Sequence, residues 1–154
     1  MQLAKDNIGL VHLLCSIAAL IAGAYVLGTA KGTRAHKQAG YVYTILMVLV
    51  NVTAFSIYRL FGRFGPFHYA AVLSSLSIVL GMVPAIIRWP KTSWKQFHAP
   101  FMYYSVVGLY AAFVSEIVTR IPGLPFGTMV FVGTFIVMFI GVYFFQKNIK
   151  RWMN

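Results

Sequence analysis

Five mostly apolar runs, each about 20 residues long and so able to cross a bilayer as a helix, dominate this 154-residue chain. They cover residues 8–27, 38–58, 67–87, 97–118 and 128–145. None of them alternates polar and apolar residues in the way that the strands of a membrane barrel do. The sequence therefore predicts an all-α integral membrane protein, a single-domain helical bundle with five transmembrane helices.

The composition excludes the other broad classes of protein. Hydrophobic residues make up 60% of the chain and charged residues 10%, and the mean hydropathy is +0.77. A soluble domain carries about 25% charged residues, and a disordered chain needs low hydrophobicity. We expect the first run to be retained and not cleaved as a signal peptide, because it is long and contains His12 and Ser16.

The basic residues predict how the chain is oriented. We call the face that holds the N-terminus side B and the opposite face side A. Side A receives nine basic residues: Lys31, Arg34, Lys37, Arg88, Lys91, Lys95, Lys147, Lys150 and Arg151. Side B receives four: Lys5, Arg59, Arg63 and Arg120. Cytoplasmic loops of membrane proteins are enriched in Lys and Arg, so we predict an inner-membrane protein with its N-terminus outside and its C-terminus in the cytoplasm.

The net charge of +11 has a related cause. In a soluble protein such a charge suggests nucleic acid as a partner. In a chain this apolar it is better explained by basic loops held against anionic lipid, so the expected partner is the lipid bilayer and not nucleic acid. Trp89, Trp94 and Trp152 also fall on side A, as interfacial anchors do.

Four histidines lie near the ends of the predicted helices, two on each face. His12 and His68 belong to the first and third helices on side B, and His36 and His98 to the second and fourth on side A. Two neutral imidazoles from facing helices can ligate one haem iron. The pattern predicts two haem b groups, one between His12 and His68 and the other between His36 and His98.

Residues beside the histidines fit that hypothesis. Arg34, Lys37 and Lys95 could pair with haem propionates, because guanidinium and ammonium groups bind carboxylates well. Small residues such as Gly40 and Gly81 leave room for a flat macrocycle between helices. The function predicted is transmembrane electron transfer by a cytochrome b-like oxidoreductase, with a quinone or a small reductant meeting it at one face.

A different class of function stays open. Histidine tolerates membrane interfaces, so the four rings could simply pack there. The chain would then be a non-redox membrane protein, such as an assembly factor, a transporter subunit or a metal-binding protein. A zinc site is a less favoured interpretation of the histidines than haem. Zinc prefers three or four clustered ligands, and the lone Cys15 cannot form a cysteine-type site. A homodimer also stays open.

The fourth helix carries one further pair of ionisable residues. Glu116 and Arg120 stand four residues apart near side B, so they share a helix face. The simpler interpretation is an internal ion pair that lowers the cost of two charges in the membrane. The functional interpretation is a proton or substrate group beside the side B site.

Several of these residues together resemble an uncharacterised bacterial membrane family, domain of unknown function 2306. The resemblance rests on residues 31–36 (KGTRAH) followed by Gly40 and Met47, on residues 64–68 (FGPFH), on His98 with Met102 ahead of Arg120, and on His12. It covers about the first 120 residues and leaves the fifth helix outside. It implies a helical membrane bundle, here a four-helix His-bearing core with one C-terminal helix, and it implies no established chemistry. The histidine topology is also similar to that of the ascorbate-type di-haem transmembrane cytochrome b proteins.

Overall fold

The computed structural model describes residues 7–58, 62–123 and 125–153; for residue 153 it describes the backbone alone. Within these ranges the chain is helical and contains no strand. The helices are α1 (Asn7–Gly28), α2 (Arg34–Phe55), α3 (Pro66–Ile87), α4 (Trp94–Val118) and α5 (Phe126–Met153). All five are long and apolar enough to cross a membrane, which confirms the predicted fold class. Lys5 and Arg59, which entered the charge count, lie outside the described residues.

Helix α2 begins four residues before the predicted start at residue 38. Thr33 caps it, because the threonine side chain accepts a hydrogen bond of 3.2 Å from the backbone N–H of His36. Such a cap satisfies one of the donors that the first turn of a helix leaves unpaired. His36 therefore lies inside the first turn of α2 and not in the loop before it.

Helix α5 runs eight residues beyond the apolar run, which ends at residue 145. No glycine or proline follows Gly141, so nothing in the sequence stops the helix where the apolar segment ends. Lys150 and Arg151 lie in the last turn, where positive charge is favourable beside the negative end of the helix dipole. The polar C-terminal turns of α5 thus extend past the segment that is apolar enough for lipid.

Two compact units make up the chain, Met1–Ile78 and Val79–Asn154, and their boundary falls within α3. In the first unit α1 packs on α2, and its core includes Ala19 and Tyr43, which are fully buried. In the second unit α4 packs on α5. Ser115, which is 1% exposed, lies in that interface, with its Oγ 3.0 Å from Oγ1 of Thr134.

Lys31 closes the C-terminal end of α1, a role that its place among the basic loop residues did not suggest. Its Nζ donates hydrogen bonds of 2.9 and 2.7 Å to the carbonyl oxygens of Val26 and Leu27, and a third of 3.1 Å to Thr29. The last carbonyls of a helix have no helical donor, and one ammonium group satisfies several of them here.

The orientation predicted from the basic residues can be tested with a reporter fused to the C-terminus. We expect the fusion to be active as a cytoplasmic reporter, because nine basic residues lie on side A and four on side B. The same reporter fused in the loop after α2, at residue 62, serves as the matched control and should read the opposite side. A C-terminal reporter active only outside the membrane would reverse the topology.

Candidate functional site

His12 lies in the second turn of α1, where a threonine of α2 fixes its ring. The Nδ1 atom lies 2.8 Å from Oγ1 of Thr53. That hydroxyl has one proton, which it directs at the carbonyl oxygens of Leu49 and Val50, at 2.7 and 2.9 Å. The Thr53 oxygen therefore accepts, and Nδ1 of His12 carries the hydrogen. In the neutral ring this leaves the lone pair on Nε2.

His98 is fixed in the same tautomer in the second turn of α4. Its Nδ1 lies 2.9 Å from the carbonyl oxygen of Gly81 on α3, and a carbonyl can only accept. The Nδ1 atom thus carries the hydrogen, and Nε2 again holds the lone pair of the neutral ring. Trp94, one turn earlier, places its ring centroid 6.0 Å from that of His98.

The small residues expected beside the histidines have unlike surroundings. A Cβ atom added to Gly81 would lie 2.7 Å from Sδ of Met102, so the space there is filled by α4. A Cβ atom added to Gly40 would meet nothing within 4 Å. Gly81 therefore serves the close approach of α3 and α4, which brings its carbonyl to His98, and open space remains beside Gly40, one turn from His36.

His68 has the opposite hydrogen-bonding pattern. The backbone N–H of Gly65 donates to its Nδ1 at 3.1 Å, so the hydrogen of the neutral ring is on Nε2. Gly65 precedes the first residue of α3, Pro66, and His68 is the third residue of that helix. A side chain at this third position that accepts from the N–H before the helix is the second half of a capping box, usually supplied by Glu or Gln. An imidazole therefore takes that role here.

The ring of His68 is enclosed by aromatic side chains. Its centroid lies 4.5 Å from that of Tyr58 and 4.8 Å from that of Phe64, and the residue is 5% exposed. Its Nε2 atom is fully buried and meets no hydrogen-bond acceptor among the described residues. We call Tyr58, Phe64 and His68 the aromatic box.

These environments differ in what they can offer an iron. A ligating histidine supplies the lone pair of one nitrogen and donates its other N–H to a fixed acceptor. His12 and His98 have this arrangement. His68 would have to turn its ring over and give up the bond from Gly65. The pairing of His12 with His68 around one iron stays a prediction, and it requires this rearrangement of the His68 ring. His36 belongs to the first unit and His98 to the second, and their pairing likewise stays a prediction.

The three basic residues predicted to bind propionates all have exposed side chains. Arg34 and Lys37 flank His36 in the first turn of α2. Lys95 precedes His98 by three residues, so both lie on one face of α4. Their proposed contact with a carboxylate remains a prediction.

No group of three or more His, Cys, Asp or Glu side chains that could hold a metal ion occurs within residues 7–58, 62–123 and 125–153. Cys15 is half-buried and has a free thiol. A zinc site with the usual three or four protein ligands is therefore not assembled by the described part of the chain.

Glu116 and Arg120 meet on the exposed side of α4. Nη2 of Arg120 contacts Oε1 of Glu116 in an ion pair, and Nε of the same guanidinium lies 3.3 Å from the Glu116 carbonyl oxygen. The side chains of Arg120 and Glu116 are 32% and 51% exposed. The pair needs no other element to form, since four residues along a helix bring the two groups together.

A double-mutant cycle on this pair has a clear expected outcome. We expect the losses of stability in Glu116→Gln and Arg120→Gln to add up to more than the loss in the double variant. The reason is that each single variant leaves one charge unpaired in or near lipid. The coupling should be about 0.5 kcal/mol or more, the value of such pairs in water being near this figure. Thermal unfolding in detergent micelles measures it, and zero coupling would remove the pairing interpretation.

The hydrogen-bond partners of the histidines could be predicted from the sequence to different degrees. Thr53 is separated from His12 by 41 residues, and no local pattern points to it. The capping role of His68 does have a local signal in the sequence. Gly65 directly precedes the helix, Pro66 is its first residue and His68 its third. Proline is favoured at the first position, so this spacing could have predicted the cap.

Comparison with known proteins places the chain in one family. No curated protein and no solved structure matches it. The sequence profile of the family described as "Predicted membrane protein (DUF2306)" matches residues 9–150. The match extends through most of α5, so the expectation that the resemblance stops near residue 120 was wrong. The motifs that suggested the family all lie before α5, so they carry no information about the fifth helix. The chain belongs to the predicted membrane proteins of DUF2306.

Proposed function

We propose that this multi-pass membrane protein transfers electrons across the bilayer through haem b held by its histidines, with one haem near each face. The observation that carries the proposal is the shared state of His12 and His98. Each donates its Nδ1 hydrogen to a fixed acceptor, the Thr53 hydroxyl or the Gly81 carbonyl, and keeps the lone pair on Nε2. This is the tautomer in which a histidine ligates iron through Nε2.

The position of the two rings along their helices supports the same proposal. His12 is the sixth residue of α1 and His98 the fifth residue of α4. The predicted topology starts α1 on side B and α4 on side A, and on that prediction the two histidines belong to opposite faces. Haem supplies one-electron chemistry when it is bound. The chain's part is to orient the imidazoles and, through Arg34, Lys37 and Lys95, to offer positive charge near the side A pair.

A non-redox function is the second candidate, and His68 favours it. Its ring caps α3 in a way that needs no cofactor, and ligation of iron through Nε2 would cost the hydrogen bond from Gly65. The proposed iron ligation on side B is thus supported by His12 and not by His68. If all four histidines have structural roles of this kind, the chain is an assembly factor, a transporter subunit or a metal-binding protein.

The colour of the purified protein separates the two candidates. We expect the wild-type protein, produced with a haem precursor and purified in mild detergent, to show a Soret band that shifts on reduction. The matched control replaces both His12 and His98 by asparagine, whose Nδ2 hydrogens can still bond to Thr53 and Gly81. This control should be folded and colourless. A colourless wild-type protein that also fails to bind added haem would rule out the electron-transfer proposal.

A further inference from the structure

The aromatic box holds a hydrogen-bond donor that the described part of the chain leaves unused. Because Gly65 donates to Nδ1 of His68, the ring hydrogen is on Nε2, and that atom is fully buried without an acceptor. A buried donor left unpaired costs about 1–3 kcal/mol. A ligand that brings an acceptor to this atom would recover that cost on binding.

The walls of the aromatic box indicate what kind of acceptor it suits. The rings of Tyr58 and Phe64 pack directly on that of His68, with centroid distances of 4.5 and 4.8 Å, and a flat conjugated ring that took the place of either would make the same kind of stacking contact. Tyr58 and Phe64 are themselves 43% and 42% exposed, so neither ring is enclosed on all sides, and ligand binding at Nε2 would require one of them to turn outward. An anion would lose its hydration among these rings at high cost, whereas a neutral carbonyl would not.

We infer that the aromatic box binds the head group of a lipid-soluble quinone, with Nε2–H of His68 donating to a quinone carbonyl oxygen. The box lies where α2 ends and α3 begins, at an end of two membrane-spanning helices. A quinone dissolved in the bilayer reaches that level without entering water. The inference rests on the proposed function for its redox meaning, since a quinone would be the electron donor or acceptor on side B, but the binding itself needs no haem.

This role and iron ligation exclude each other at His68. While Nδ1 accepts the hydrogen bond from Gly65, the hydrogen of the neutral ring is on Nε2, and a protonated Nε2 cannot bind iron. The hydrogen bond from Gly65 therefore makes Nε2 of His68 a donor. The two histidines assigned to side B thus differ, because Nε2 carries a lone pair in His12 and a hydrogen in His68.

Two variants of His68 separate donation from capping. Glutamine can accept from Gly65 through its amide oxygen and donate through its amide nitrogen. Glutamate can accept from Gly65 equally well, as in ordinary capping boxes, but it has no hydrogen to donate when ionised. His68→Gln and His68→Glu should therefore both keep the start of α3, which circular dichroism and thermal unfolding check.

The binding experiment uses decylubiquinone and the full chain in phosphatidylcholine nanodiscs, with ¹⁵N-labelled histidine. We expect saturable binding that moves the Nε2–H signal of His68 downfield. Affinity should stay within about threefold in His68→Gln and fall about tenfold or more in His68→Glu, since a hydrogen bond is lost and a lone pair faces the carbonyl. Equal affinity in His68→Glu, or no saturable binding by the wild-type protein, would overturn the inference.

The haem measurement keeps this result apart from that of the proposed function. Quinone binding by a protein that shows no Soret band, even after haem is added, would support the inference and rule out the electron-transfer proposal. Loss of the side B haem signal in a folded His68→Glu variant would overturn the inference, because it would assign the ring to iron.

Discussion

Replacing Gly141 by alanine is expected to destabilise the packing of α4 on α5 by about 1–3 kcal/mol, the usual cost of overpacking a core. A Cβ atom at this position would lie 2.5 Å from Cγ1 of Val107, 3.0 Å from Cγ2 and 3.4 Å from Cβ. Rotation of the valine cannot relieve the contact, because both methyl groups and the branch point are close and valine is stiff in a helix. The hydrogen bond of 2.8 Å from the Tyr103 hydroxyl to the Gly141 carbonyl would be strained as well.

Thermal unfolding in detergent micelles measures this loss. Gly108→Ala is the matched control, since Gly108 lies inside α4 and an added Cβ would meet nothing within 4 Å. Alanine is a better helix former than glycine, so the control should be neutral or more stable by up to about 1 kcal/mol. A Gly141→Ala variant as stable as the control would mean that α4 and α5 do not pack through this glycine.

The membrane itself explains why the fold could be predicted from the sequence. A helix that crosses a bilayer must be apolar over a fixed length, so the five runs predict five helices without any knowledge of their packing. The ends were less predictable, because helices continue until a cap or a breaker stops them. Thr33 starts α2 before its apolar run, and the polar residues after residue 145 continue α5 since none of them breaks a helix.

The candidate site could be predicted only in part. The positions of His12 and His98 near helix ends follow from the spans alone. Which nitrogen of each ring carries the hydrogen depends on the acceptors Thr53 and Gly81, which packing brings from another helix. His68 looked equivalent to the other histidines in the sequence, and its difference comes from one backbone N–H at the start of α3.

His98→Asn is expected to remove one of the two proposed haem signals and to leave the other. The asparagine Nδ2 hydrogen can replace the Nδ1 hydrogen that His98 donates to Gly81, so the contact between α3 and α4 is kept while the iron ligand is lost. His12→Asn should remove the other signal for the same reason, its Nδ2 hydrogen replacing the bond to Thr53. The haem content per chain should fall by half in each variant.

The reduced-minus-oxidised spectrum and a pyridine haemochrome assay measure these losses, with thermal unfolding as the check on folding. His98→Ala is the useful comparison, because it loses the ligand and the bond to Gly81 together and leaves a cavity, and so it should be less stable than His98→Asn. If His98→Asn stays folded and loses both signals, the histidines serve one shared site. If it keeps both, His98 is not an iron ligand and its ring serves to join α4 to α3 through Gly81.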